Sequence, residues 1–99
     1  MSIITIEVTQ EDIDKGIRSR SDDCAVARAL KRQLRTYDVS VSALGVMIHG
    51  ESYKAPVGLA TFVRDFDKDK SLVFPTEFLL DMSATIKYPV FSSAELVGG

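Results

Sequence analysis

Pro56-Val57-Gly58-Leu59-Ala60-Thr61-Phe62-Val63-Arg64-Asp65-Phe66 decides the fold class, because Leu59, Phe62, Val63 and Phe66 fall at i, i+3, i+4 and i+7. That spacing lays one apolar stripe along an α-helix. Pro56 suits the first helical position, where its missing N–H is not needed. Gly58 costs the helix roughly 1 kcal/mol against alanine unless a neighbour packs close to it. The charged run from Asp65 to Lys70 ends the helix, and residues 72–82 return to strand. Phe74, Phe78, Leu80 and Met82 then share one strand face, interrupted by Thr76. Pro75 has no ladder donor, so the strand starts late or lies at an edge.

Working back from that helix, Tyr53-Lys54 can pair across the turn-like His49-Gly50-Glu51-Ser52. Val39 and Val41 alternate with Ser40 and Ser42, and Leu44-Gly45-Val46-Met47-Ile48 follows. These are two short strands, or one bent strand with a bulge at Gly45. An earlier helix starts at Ser21 or Asp22 as N-cap and runs to about Thr36. Val26, Ala29, Leu30, Leu34 and Tyr37 mark its apolar side, and Arg28, Lys31, Arg32 and Arg35 the other. At the start, Ile4, Ile6 and Val8 alternate with Thr5 and Glu7, a half-buried strand. Thr9-Gln10-Glu11-Asp12 reads as a capping box opening one helical turn over 10–15, with Ile13 beneath it and Gly16 at a left-handed exit.

The order β-α-β-β-α-β predicts an α+β domain, with one antiparallel or mixed sheet and both helices on one face. Residues 1–82 form the compact part, and 83–99 an extended tail that docks in part. At 99 residues the chain is long enough for one core. Its 45% apolar content excludes a disordered chain. A net charge of −2 gives no general attraction to nucleic acid or anionic membranes. Cys24 is the only cysteine, so an intrachain disulfide and a Cys-pair zinc site are both excluded. The sequence shows no leader and no membrane-spanning run, which predicts a cytoplasmic protein.

Four constellations carry candidate chemistry. Seven of the 12 basic residues lie between Lys15 and Arg35. Arg28, Lys31, Arg32 and Arg35 form a stripe that can hold an anionic ligand or an acidic protein groove, or be a solvated helix face. Only Tyr37 offers an aromatic beside them, which argues against nucleic acid. Cys24 and His49 are the single candidate nucleophile and base, set against an incidental cysteine beside Asp22 and Asp23. The acids Glu11, Asp12 and Asp14, and Asp65, Asp67 and Asp69, lack the glycine and distal glutamate of a calcium loop and read as solvated turns. Gly98-Gly99 resembles the tails of ubiquitin-like modifiers and small sulfur carriers, whose terminal carboxylate is adenylated. Those folds open on a β-hairpin, however, and a single strand precedes the first long helix here.

Val8-Thr9-Gln10-Glu11-Asp12-Ile13-Asp14-Lys15-Gly16, followed by Asp23-Cys24-Ala25-Val26-Ala27-Arg28-Ala29-Leu30, resembles a family of small phage and prophage proteins. Its members show a strand, a VTxEDI-like turn and a Cys-Pro-(Val/Ile)-Ala-x-Ala helix start. An apolar helix ending in Phe-Asp and a Phe-rich strand follow, matched here by Phe62 to Asp67 and Phe74 to Leu80. Ala25 departs from the family's proline. The resemblance implies a phage-borne setting and carries no mechanism.

The expectation is a small, non-catalytic, cofactor-free and metal-free binding protein, one form of which is an inhibitor of a host system. It would bind a host protein or an anionic small ligand through Arg28, Lys31, Arg32 and Arg35, and could form a homodimer through a strand edge. The alternatives are a carrier activated at Gly98-Gly99, a nucleotide sponge holding its ligand at helix N-termini, and an enzyme using Cys24 and His49.

Overall fold

A computed structural model describes residues 2–83 and 85. The chain opens with β1 (Ile3–Val8), α1 (Gln10–Lys15) and α2 (Ala25–Leu34). Then come β2 (Val39–Val41), β3 (Gly45–Ile48) and β4 (Glu51–Lys54), followed by α3 (Leu59–Lys68), a 3-10 turn over Lys70–Leu72, and β5 (Thr76–Asp81). This is the expected α+β domain. The expected tail over 83–99 falls, apart from Ser83 and Thr85, outside the described residues.

The expected single sheet is divided in two. β1 pairs antiparallel with β5 from Ile3↔Asp81 to Val8↔Thr76. β2, β3 and β4 form a separate antiparallel meander. β4 packs beside β5 without joining its ladder. His49 and Gly50 close the β3–β4 hairpin with φ of 53° and 80°, the left-handed pair of a type I′ turn. Gly45 pairs regularly with Lys54 and is not a bulge.

Alternation decides which strand residues are inside. Ile6, Val8, Phe78 and Leu80 are buried, while Ile3, Thr5, Glu7, Glu77 and Leu79 face out. One core cluster joins these to Val26 and Leu30 of α2, to Val46 and Ile48, and to Leu59, Phe62 and Phe66 of α3. The capping box forms as expected: Thr9 Oγ1 accepts from Asp12 N at 3.2 Å, and Asp12 Oδ2 accepts from Thr9 N at 3.0 Å.

Three local expectations are corrected. Gly16 is extended at φ −65°, not left-handed. A Cβ there would lie 2.8 Å from Ala25 N and from Asp12 O, so this glycine permits close packing of α1 on α2. The N-cap of α2 is Cys24, not Ser21 or Asp22, because Arg20 O accepts from both Asp23 N and Cys24 N and uses those residues in a turn. Pro56 lies ahead of α3, whose N-cap is Gly58 at φ 88°. Gly58 therefore never costs the helix interior anything, and its conformation is one that other residues adopt with strain.

The outer edge of β1 is occupied. Gln33 Oε1 accepts from Glu7 N at 2.7 Å, and Gln33 Nε2 donates to Thr5 O at 2.8 Å. One amide side chain thus takes the donor and acceptor that an added strand would use. Gln33→Ala is expected to cost about 1 kcal/mol and to speed exchange of the Glu7 amide, read by hydrogen–deuterium exchange.

Candidate docking groove

The groove begins where the chain leaves α3. Asp69 carboxylate accepts from Ser71 N at 3.0 Å and caps the 3-10 turn. Backbone hydrogen bonds from Leu72 N to Asp69 O and from Val73 N to Lys70 O close that turn. The next residues are extended: Val73 turns inward, and Phe74 turns outward with 74% of its surface exposed. Phe78 and Leu80 are then buried. Unbroken alternation would place Phe74 on their face. The inward position before Pro75 is taken by Val73 instead, so the sequence expectation for Phe74 is corrected. Pro75 ends one extended piece and β5 starts another at Thr76.

Opposite this segment, Val57 is 99% exposed ahead of the Gly58 cap. Between the two walls lies a cavity of about 450 Å³. Phe62 and Phe78 form its floor, packed edge to face with ring centroids 5.5 Å apart. A Cβ at Gly58 would stand 3.7 Å from Phe78 Cε1, in van der Waals contact with the ring. Among the described residues, Asp65 and Glu77 are the only charged ones lining it. Past Pro75, Thr76 and Glu77 lies an adjoining depression of about 470 Å³ that also meets Glu7 and Gln10. Because Phe74 caps nothing, Phe74→Ala is expected to change stability by no more than about 0.5 kcal/mol, read as an unchanged urea midpoint.

The basic residues singled out in the sequence lie elsewhere: Arg28 and Lys31 are half-buried, and Arg32 and Arg35 are exposed. Arg32 Nη2 donates to Asp12 Oδ2 at 2.8 Å and to Glu7 O at 2.9 Å. Asp12 is buried, so this pair ties α2 to α1 and to the end of β1. Lys31 Nζ stands 3.9 Å from Asp23. Arg28 is half-buried, with its Nε enclosed and without a hydrogen-bond partner among the described residues. Arg35 is exposed and left-handed at φ 55°, serving as the C-cap of α2. Periodicity showed the shared face but not that Asp12 and Asp23 fold onto it. Gly98 and Gly99 lie outside the described residues.

Cys24 is buried and lines a cavity of about 300 Å³ with Arg20, Arg64 and Asp67; His49 does not reach it. Burial pushes the thiol above its ordinary value of 9.0, outweighing the helix N–H groups of Ala27 and Val26 that draw it down. This is the reverse of thiolate activation. Since the folded value is raised, the stability that the neutral thiol contributes is complete below the unfolded value. It is lost as pH climbs through the alkaline range above 9.0. Iodoacetamide is expected to label Cys24 slowly in the native protein and fast in urea.

The acids of the two runs are mostly engaged. Glu11 pairs with Lys15 at 2.8 Å, and Asp14 accepts from Gln10 at 2.9 Å. Asp67 accepts from Ser19 N at 2.8 Å. Among the described residues no group of three or more His, Cys, Asp or Glu is placed to hold a metal ion. No helix among them is long and apolar enough to cross a membrane. The chain matches no protein-family model, no curated protein and no solved structure.

Proposed function

We propose that this is a non-catalytic binding protein and that a partner protein docks in the groove between α3 and β5. The observation that carries this reading is the exposure of Val57 and Phe74 beside the Phe62–Phe78 floor. A solvent-facing aromatic at the mouth of an apolar cavity contributes little to folding and much to association. The phage-like resemblance makes a host protein the partner class. The surface of Arg28, Lys31, Arg32 and Arg35 supports docking less, because Arg32 and Lys31 already face carboxylates of their own chain.

The test is selection of peptides from a random dodecapeptide library on the immobilised full chain. Enriched peptides are expected to lose about tenfold or more in affinity to Phe74→Asp, with the unfolding midpoint unchanged. Absence of enrichment overturns the reading. So does binding indifferent to Phe74→Asp and lost instead with Arg28→Glu or Arg35→Glu, which would return the function to α2.

A further inference from the structure

We infer that the groove selects partner segments carrying a lysine or arginine next to an apolar anchor, with the cation held between Glu7 and Glu77. This rests on the docking reading above and specifies its partner.

Glu7 and Glu77 are directly opposed in the β1–β5 ladder and both face solvent. Directly opposed residues hold their Cβ atoms about 4.5–5.5 Å apart, and like charges there repel. Among the described residues neither carboxylate is in an ion pair. The chain has 12 Lys and Arg that could have supplied one. Arg32 serves the backbone carbonyl of Glu7 and the carboxylate of Asp12 instead. Two uncompensated acids facing each other across a ladder conflict with the fold's own stability, and such conflicts concentrate at functional sites.

The placement of the pair gives it a use. Glu77 belongs to both the apolar cavity and the adjoining depression, and Glu7 lies in the latter. Asp65, on the α3 wall, likewise makes no side-chain hydrogen bond or ion pair among the described residues. Among the described residues no lysine or arginine lines either hollow. The surface is therefore apolar over Phe62 and Phe78 and anionic one step beyond Pro75. An anionic ligand is repelled there. A guanidinium, with its planar fork of donors, can satisfy two facing carboxylates at once.

Enriched dodecapeptides are expected to carry Lys or Arg near an apolar residue and to bind more weakly as salt is raised. Replacing that cation by glutamine, and separately making Glu7→Gln with Glu77→Gln in the protein, should each weaken binding about tenfold. Combining both changes should add little, since they remove one interaction. The Gln variant should unfold at the same urea concentration as wild type or higher, because it relieves repulsion. If Phe74→Asp abolishes binding but the Gln variant binds as wild type, or enriched peptides lack a cation, the inference fails and the docking reading stands. If Phe74→Asp has no effect, the docking reading itself fails. Self-association of the chain that Phe74→Asp dissolves would overturn the inference in favour of a second copy as occupant.

Discussion

Phe66→Ala is expected to lower stability by about 3–5 kcal/mol, the largest loss for any single truncation in this chain. Among the described residues Phe66 is the largest fully buried side chain. Its ring stacks on Phe62 with centroids 6.4 Å apart, and the Lys70 ammonium sits 5.8 Å from its centroid. Its tip comes within 3.0 Å of where a Gly16 Cβ would stand, so it reaches from α3 into the junction between α1 and α2. Truncation empties that junction, and helices tied by backbone contacts cannot collapse into it. Domains of this size are stable by roughly 5–15 kcal/mol in total, so the variant should sit near its unfolding transition. Phe66→Leu should recover more than half of the loss. Urea unfolding followed by circular dichroism measures both, and a cost below about 1.5 kcal/mol would contradict the central place given to this ring.

Gly16→Ala is expected to cost about 1–3 kcal/mol by overpacking. The cost is steric and not conformational, because φ −65° and ψ 153° suit any residue. Two of the three atoms that the new methyl meets, Ala25 N and Asp12 O, are backbone, so relief requires α1 and α2 to part. Reduced freedom of the unfolded chain offsets part of this, by about 0.4–1 kcal/mol. Gly50→Ala makes the contrast. Nothing stands within 4 Å of its Cβ position, and its φ of +80° is the whole difficulty. A Gly16→Ala protein as stable as wild type would mean that the α1–α2 contact is looser than described.

Much of the fold was legible in the sequence because it rests on local rules. The Thr9–Asp12 capping box, the α3 stripe and the alternation in β1 each follow from spacing within a few residues. The failures share a different cause, which is contact between segments distant in the chain. Gly16 read as a turn glycine, since nothing local shows Ala25 and Phe66 closing on it. Ser21 and Asp22 are better N-caps than Cys24 by propensity, yet the turn around Arg20 used them. Alternation puts Phe74 on the face of Phe78 and Leu80, but the register does not carry across Pro75, and Val73 holds the inward position.

The candidate site was legible in fragments only. Arg28, Lys31, Arg32 and Arg35 were visible as a stripe, while Asp23 and Asp12, the partners of Lys31 and Arg32, come from other turns of the chain. The groove could not be found from pattern alone, because Val57 and Phe74 are separated in sequence and look like ordinary core residues. A partial signal existed: an aromatic immediately before a proline at a strand start is poorly placed to be buried. The opposition of Glu7 and Glu77 depends on the β1–β5 register, which no local feature fixes.

The most direct measurement is an amide NMR titration of the full chain with an enriched dodecapeptide. Docking in the groove should shift Thr61, Asp65, Phe74, Glu77 and Glu7, leave Arg28, Lys31 and Arg35 in place, and disappear in Phe74→Asp. Shifts centred on α2 that persist in Phe74→Asp would contradict the account and place the binding surface on the basic helix.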